Sequence, residues 1–305
     1  MQPKMELLVW VGDFGLVSMS MECIQAILYI KLAKAPVRIT YSKNPYLVFH
    51  QDYPVFRHGA ITLTDFKDIV DYLKIHNYYV DYGLSGKQVS EAYAIINMVT
   101  VNLRPILYYS FWIDSKNYEE LTSLWYGKVM PIPFNFIYPR RARQIARSLV
   151  GALFPREQDI EIIKNSVTNN AMECFSCLAS RLGHSDFFYG NSPTTLDAIV
   201  YAHLAPLVKI PFPSDHITKL LSNWPELEKY IKRIDNRVFP DVRFERKYLE
   251  KQTSSTRSKE KEEDEFAATL AMKIFMCAAA ACAMLGYAVS KNIIDIDRCR
   301  RFILH

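Results

Sequence analysis

The pair Cys174 and Cys177 is the first group in this chain whose type and spacing could do chemistry. A Cys-x-x-Cys spacing is half of a zinc site or a thiol–disulfide motif. The chain has no second pair at this spacing, and both cysteines lie after Met172 within an apolar-periodic stretch. We therefore expect these cysteines to pack in a helical core and to bind no metal.

Two histidines are the next candidates, since imidazole serves both as a metal ligand and as an acid or base. His184 and His203 are not spaced from a carboxylate as metal ligands are, so capping or a buried hydrogen bond is the expected role. The sequence has no Gly-rich phosphate loop, no His-Glu-x-x-His motif and no nucleophile elbow. Its net charge of +5 is modest and spread out. We expect no metal, no cofactor and no nucleic-acid partner.

Four arginines gather at the start of a predicted helix after Pro139: Arg140, Arg141, Arg143 and Arg147. Arginine at a helix N-terminus opposes the macrodipole by about a few tenths of a kcal/mol each, so the cluster adds no helix stability. Binding to anionic headgroups or to an acidic partner would explain it, and a solvated basic face is the alternative. We expect that reversing Arg140 and Arg141 to Glu leaves folding intact and weakens partner recovery.

A long apolar segment near the C-terminus, Phe266–Val289, contains one charge, Lys273, and follows the charged stretch 250–265. As a helix it would be about 36 Å long, enough to cross a hydrocarbon layer of about 30 Å. Lys273 lies a third of the way in, where its stem reaches toward headgroups. We expect a C-terminal membrane anchor that includes Gly286. An alanine-rich helix buried in a core is the alternative reading.

The residues around Phe266–Val289 favour a membrane location for this segment. Basic residues follow it at 291, 298, 300 and 301, and the first 30 residues show no signal peptide or transit sequence. A moderately apolar anchor with basic flanks favours the outer mitochondrial membrane, with the bulk of the chain facing the cytosol. Small residues recur every four positions along it, at Ala278, Cys282, Gly286 and Ser290, where another helix could pack, although abundant alanine also produces such a strip by chance.

The rest of the chain is long enough for one large domain or two lobes, since about 249 residues remain without the anchor and linker. Half of all residues are hydrophobic and only 10 are glycine, as in a folded protein. Two of the six cysteines lie in the predicted anchor, so the cysteines do not form a secreted disulfide framework.

Strands and helices alternate over the first eighty residues. The patterns predict strands at 6–11, 37–41, 55–57 and 60–62, and helices at 20–32 and after Asp65, the latter capped by Thr62-x-x-Asp65. From Val89 onward the pattern is helical, at 89–113, 118–128, 139–153, 157–182, 195–209 and 225–237, and Thr194-x-x-Asp197 forms a second capping box. We predict an α+β fold with these parts: a thioredoxin-like domain (1–80), an all-helical domain (85–249), a linker (250–265), an anchor (266–289) and a tail (290–305).

Three stretches resemble the glutathione transferases. YPVFRHGAITLTDFKDIVDYL (Tyr53–Leu73) is similar to their glutathione-binding segment, which implies a cis peptide at Pro54. SDFFYGNSPTTLDAIVYAHLAPL (Ser185–Leu207) resembles their buried capping-box helix, with Thr194 and Asp197 at matching positions, and SNWPELEKYIKRI (Ser222–Ile234) resembles their closing helix. The resemblance implies a thioredoxin-like lobe followed by an all-helical lobe.

A narrower resemblance lies in WYGKVMPIPFNFIYPRRARQIARSL (Trp125–Leu149), whose Met-Pro-x-Pro-Phe-Asn core and Pro-Arg-Arg helix start are similar to the metaxins. These are tail-anchored, transferase-like proteins of the outer mitochondrial membrane, and the predicted anchor favours the metaxin 1 type. The resemblance implies a subunit of the sorting and assembly machinery that inserts β-barrel precursors alongside another metaxin-type subunit. It also implies a second role in linking mitochondria to motor proteins.

The loop before the first helix bears on enzyme activity. A transferase holds glutathione as a thiolate with a Ser, Tyr or Cys side chain at this helix start. Ser18 and Ser20 could fill that position, but Glu22 would oppose a thiolate, and Cys23 lies within the helix. Phe66 follows Asp65, where a small polar residue would bind the γ-glutamyl group. We expect no enzyme activity and no catalytic residue.

Two rival readings remain. One is that the chain is another membrane-tethered transferase relative, such as a member of the ganglioside-induced differentiation-associated family, that acts in membrane dynamics. The Met-Pro-x-Pro-Phe-Asn segment disfavours this alternative. The other is an active glutathione transferase, which retention on immobilised glutathione and turnover of a model electrophile would reveal.

Overall fold

The apolar run Met5–Trp10 (β1) forms the centre of a small sheet, and five of its six residues are buried. In the computed structural model, which describes residues 4–42, 53–131, 134–154 and 159–240, β1 pairs in parallel with Val37–Ser42 (β2). It pairs antiparallel with Val55–His58 (β3), which pairs antiparallel with Ile61–Leu63 (β4). The strand order is therefore β2-β1-β3-β4.

Two helices belong to this sheet-forming part of the chain. Met21–Leu32 (α1) is capped by Ser20, and nine of its twelve residues are buried. Phe66–Ile75 (α2) is capped by Asp65, whose carboxylate accepts the amide hydrogens of Lys67 and Asp68. The predicted capping box that included Thr62 is wrong, because Thr62 lies in β4 and pairs with Arg57.

Helices make up the remainder of the described chain. They are Gly86–Tyr108 (α3), Ser123–Val129 (α4), Phe134–Leu153 (α5), Ile160–Leu182 (α6), Thr195–Lys209 (α7), His216–Leu221 (α8) and Pro225–Val238 (α9). Between α3 and α4, π-helical turns at Tyr109–Ile113 and Tyr118–Thr122 flank one α-helical turn, Ser115–Asn117. The described residues all lie in one compact unit, Met1–Arg243.

Some helix boundaries differ from the prediction for local reasons. α3 begins at Gly86, three residues before the predicted start, because Ser85 and Gln88 form a capping box. α5 begins at Phe134, so Pro139 lies within the helix and is buried there. A proline removes only one backbone hydrogen bond, and helix packing outweighs that loss here. The six residues of α8 are too few to show a helical period in the sequence.

Asp197 organises the most buried helix. Its carboxylate accepts hydrogen bonds from the Thr194 amide and hydroxyl, both at 2.8 Å, and from the Phe188 amide at 3.3 Å. The Tyr230 hydroxyl of α9 donates to the same carboxylate at 3.1 Å. Twelve of the fifteen residues of α7 are buried, so this one side chain fixes the start of α7 against α9.

Within the described ranges, no helix has both the length and the apolar character needed to cross a bilayer. The predicted anchor Phe266–Val289, with Lys273 and Gly286, lies outside those ranges. So do the linker 250–265 and the tail 290–305.

Candidate functional site

The loop between β1 and α1 delivers two serines to the start of α1. A Cβ on Gly12 would lie 2.1 Å from the Leu16 carbonyl oxygen, so only glycine fits this tight turn. Ser20 caps α1: its hydroxyl donates to Glu22 Oε2 at 2.8 Å and accepts the Cys23 amide at 3.4 Å. Ser18 is buried, and its oxygen accepts the Ser20 amide at 3.3 Å. Both hydroxyls are therefore engaged in holding the helix start.

Cys23 and Phe66, the other two residues considered for glutathione binding, also have structural roles. Cys23 is fully buried, and burial raises the pKa of its thiol to about 12, so the thiol stays protonated at neutral pH. The Phe66 ring packs edge to face on Tyr29, with ring centroids 6.0 Å apart. The Tyr53–Pro54 peptide bond is cis, at the position where the transferase resemblance places one.

A cavity of about 440 Å³ lies beside this helix start. Five aromatic residues on its wall form a connected cluster: Trp10, Tyr53, Trp112, Tyr126 and Tyr138. Neighbouring rings lie 5.0 Å apart for Trp10 and Tyr53, and 5.2 Å apart for Tyr126 and Tyr138. Burial raises the pKa of Tyr126 well above its usual value, so its hydroxyl stays neutral. This cluster gives the cavity a continuous aromatic and uncharged part of its wall.

Three charged side chains complete the wall of the cavity: Glu22 from α1, Arg104 from α3 and Arg141 from α5. The Nε atom of Arg104 is buried and has no hydrogen-bond partner among the described residues. Arg104 was missed by the sequence reasoning, although it is the only charged residue between Ala92 and Ile113. A single charge inside a long apolar helix was the signal that would have identified it.

The four clustered arginines do not share one environment. Arg140, Arg141 and Arg147 are exposed on α5. Arg143 is half-buried: its guanidinium lies 4.1 Å from the Tyr118 ring centroid and donates to the Ser115 hydroxyl at 3.2 Å. Arg143 therefore stabilises the packing of α5 on the π-helical segment, and the other three leave positive charge at the surface.

α5 also exposes apolar side chains next to these arginines. Ile145, Leu149 and Leu153 are between 46% and 52% exposed. Together with Arg141 they recur every four residues, and we call these four residues the α5 stripe. Positions four apart lie on one side of a helix, so the side chains form a continuous strip. Arg141 and Ile145 also line the cavity, so the strip begins at the cavity mouth.

Of the remaining candidates, Cys174 and His203 are buried, whereas Cys177 and His184 are exposed. Cys174 is buried in α6, where burial raises the pKa of its thiol to about 12, whereas Cys177 is exposed and does not pack in the core as expected. His184 is exposed after the end of α6, so of the two expected roles, capping or a buried hydrogen bond, the buried hydrogen bond does not apply to it. His203 is buried, and its Nδ1 lies 2.8 Å from the Ile199 carbonyl oxygen. The described ranges hold no group of three metal-ligating side chains.

The sheet and helices define a glutathione-transferase-like fold. A glutathione S-transferase from Ceriporiopsis subvermispora, solved with glutathione, matches with a TM-score of 0.52 and 13% identity, over 77% of this chain and 100% of that chain. At this identity the likeness shows the fold alone. Residues 171–234 also match the family described as glutathione S-transferase, C-terminal domain.

The full-length relatives identify the family more narrowly. Metaxin-1 of Mus musculus is 32% identical and covers 98% of this chain and 93% of the mouse protein. Metaxin-3 of Danio rerio is 31% identical and covers 81% of this chain and 80% of the fish protein. Residues 23–143 match the family described as outer mitochondrial membrane transport complex protein. The chain belongs to the metaxin family.

Proposed function

We propose that this protein is a non-enzymatic subunit of a transport complex at the mitochondrial outer membrane, and that it works by binding other proteins. The family and the match of residues 23–143 to outer mitochondrial membrane transport complex proteins support the location and the transport role. The helix start where a transferase would activate glutathione supports a non-enzymatic role, because the Ser20 hydroxyl caps α1 and the buried Ser18 hydroxyl accepts the Ser20 amide.

The observation that carries the binding role is the surface of α5. The α5 stripe is exposed and apolar beyond Arg141, and Arg140 and Arg147 add positive charge beside it. Exposed apolar side chains recurring along one side of a helix are a common feature of protein–protein contacts. The occupant we propose is a partner protein whose contact surface has apolar side chains flanked by acidic ones, since such a surface complements both features of α5.

The complex we propose is the sorting and assembly machinery that inserts β-barrel precursors, with another metaxin-type subunit as neighbour. Under this proposal the segment Phe266–Val289 anchors the chain in the membrane and leaves the helical body in the cytosol. Extraction of mitochondria with alkaline carbonate tests the anchor: the protein should stay in the membrane pellet. Release into the supernatant would contradict it. Protease treatment of intact mitochondria should remove the body and so test its orientation.

Affinity purification of the full-length chain from gently solubilised mitochondria tests the complex. Recovery of β-barrel insertase subunits, with delayed assembly of a newly imported β-barrel precursor in cells that lack the protein, is the expected result. Recovery of motor adaptors without the insertase would instead favour the motor-linking role. Retention on immobilised glutathione together with turnover of a model electrophile would contradict the non-enzymatic assignment.

A further inference from the structure

The cavity and the α5 stripe form one continuous surface. Arg141 and Ile145 belong to both, because each lies on the cavity wall and each is exposed on α5. Leu149 and Leu153 extend the stripe away from the cavity by about one and two further turns of the helix. A protein segment that packs along the stripe therefore reaches the mouth of the cavity at its Arg141 end.

The cavity wall favours an aromatic occupant. Its rings include those of Trp10, Trp112 and Tyr126, and two methionines, Met19 and Met21, lie on the same wall. Aromatic rings attract one another in offset and edge-to-face arrangements, and a methionine sulfur makes favourable contacts with a ring. The rings of the wall already pack closely, with the centroids of Trp112 and Tyr126 5.1 Å apart. A further ring that enters the cavity would find both kinds of contact.

A carboxylate on the wall selects among the aromatic side chains. Glu22 is half-buried there, and its Oε2 accepts the Ser20 hydroxyl at 2.8 Å. A carboxylate has about four acceptor positions, so Glu22 has the capacity to accept a donor from an occupant as well. The indole N–H of tryptophan and the hydroxyl of tyrosine are such donors, whereas phenylalanine has none. The wall therefore fits tryptophan or tyrosine better than phenylalanine.

We propose that the partner protein inserts a tryptophan or tyrosine side chain into this cavity while its neighbouring apolar side chains pack along the α5 stripe. The inference rests on the proposed partner docking and adds the type of residue that holds the partner in place. The cavity, about 440 Å³, is large enough for such a side chain. Aromatic side chains buried in pockets contribute a large share of the binding energy of protein interfaces.

Filling the cavity tests the proposal. Ala142 is half-buried on α5 and lines the cavity, so Ala142→Phe places a ring of the protein itself in that space and leaves the α5 stripe unchanged. Affinity purification of the full-length variant should recover less than about a fifth of the partner protein that the natural chain recovers. Ala94→Phe makes the same change at an exposed position of α3 outside the cavity wall and should leave recovery unchanged. Circular dichroism shows whether both variants are folded.

Photo-crosslinking identifies the occupant directly. Tyr108 is half-buried on the cavity wall, and p-benzoylphenylalanine in its place keeps a para-substituted ring. Ultraviolet light should link this position to a partner segment, and mass spectrometry should place the link at or beside a tryptophan or tyrosine. The same probe in place of Tyr93, exposed on α3, should not link to that segment. Replacing the partner residue by alanine should weaken binding by about tenfold or more. This measurement decides the question if Ala142→Phe does not fold.

Several results would overturn the proposal. These are undiminished partner recovery with a folded Ala142→Phe variant, no link from position 108, or a link to a segment without tryptophan or tyrosine. A link to a lipid or another small molecule would also overturn it. If reversal of Arg140 and Arg147 to Glu still lowers partner recovery in these cases, docking on α5 stands and only the inserted side chain is wrong. Undiminished recovery after that reversal as well would contradict both proposals.

Discussion

The indole of Trp125 donates a hydrogen bond from Nε1 to Asp13 Oδ2 at 3.0 Å, across 112 residues of sequence. Trp125 belongs to α4, just before the Met-Pro-x-Pro-Phe-Asn segment, and Asp13 belongs to the loop that leads into α1. The bond therefore connects the part of the sequence that is most typical of the family to the loop that forms one side of the cavity.

This bond should contribute to stability. Trp125→Phe keeps an aromatic ring but removes the donor and leaves the Asp13 carboxylate without this partner. We expect a loss of about 1–2 kcal/mol in the free energy of unfolding, since the acceptor is charged and only partly buried. Urea unfolding of the full-length protein, followed by far-ultraviolet circular dichroism, measures it. Asp13→Asn keeps an acceptor oxygen and should cost less. An equal or larger cost would show that the carboxylate charge or the bond from the Phe14 amide, rather than the bond from Trp125, carries the effect of Asp13.

Much of the fold could be predicted from short-range patterns. The strands β1 and β2, the helix α1 and the long helices α6, α7 and α9 follow from apolar periodicity and capping residues, whose effects are local. The π-helical turns between α3 and α4 and the start of α5 before Pro139 could not be predicted, because packing between distant segments decides them. The short helix α8 has too few residues to show a period.

The cavity was harder to predict than the fold. Its aromatic cluster draws on Trp10 in β1, Trp112 in a π-helical turn and Tyr138 in α5, which are far apart in sequence. Only the folded chain brings them together, so no spacing rule applies. The cluster of Arg140, Arg141, Arg143 and Arg147 can be predicted because all four lie on one helix. The sequence does not reveal that Arg143 stacks on Tyr118.

The charged part of the α5 surface can be tested without disturbing the cavity. Arg140 and Arg147 are exposed and do not line it, unlike Arg141. The double variant Arg140→Glu/Arg147→Glu should fold normally and should recover less than half as much partner protein, because charge complementarity is reversed. Quantitative mass spectrometry after affinity purification measures this. The exposed pair Lys229→Glu/Lys232→Glu on α9 makes the same charge change elsewhere and is the control. Equal partner recovery from both double variants would show that Arg140 and Arg147 do not contribute to partner binding.

Arg143 should affect stability more than partner binding. Arg143→Gln removes both the contact with the Tyr118 ring and the hydrogen bond to Ser115. We expect a loss of about 1 kcal/mol in the free energy of unfolding, since cation–π pairs at partly exposed sites contribute about 0.5–1 kcal/mol. Urea unfolding measures the loss, and partner recovery at a temperature well below the melting point should remain near that of the natural protein. A stable variant with poor partner recovery would instead place Arg143 in the binding surface.

Asp197 should make stability fall as pH rises. Burial raises the pKa of this carboxyl from 3.8 to about 6, so between these values the folded chain holds a proton that the unfolded chain has lost. The stabilising effect is therefore present below pH 3.8 and lost as pH rises through about 6. Asp197→Asn removes this dependence. The stability of the natural protein relative to the variant should fall by about 2 kcal/mol from pH 4 to pH 6, as urea unfolding at each pH would show. A difference that is independent of pH would contradict the shifted carboxyl.

His203 should act in the opposite direction over a similar range. Burial, with a contribution from the charge of Arg104, lowers the pKa of this imidazole from 6.5 to about 4. Between these values the unfolded chain binds a proton that the folded chain does not, so the stability is fully present above pH 6.5 and is lost as pH falls through about 4. His203→Leu removes this dependence, and the stability of the natural protein relative to the variant should rise by about 3 kcal/mol from pH 4 to pH 6.5.

The measurement for His203 is again urea unfolding across this pH range. The two groups oppose each other between about pH 4 and pH 6, so the natural protein should show little net dependence from them there, and each single variant should expose the slope of the other group. Arg104→Met serves as a further check, since removing the neighbouring positive charge should raise the pKa of His203. The pH range over which His203 affects stability should then begin at a higher pH. If this pH range is the same in Arg104→Met as in the natural protein, burial alone keeps the imidazole neutral.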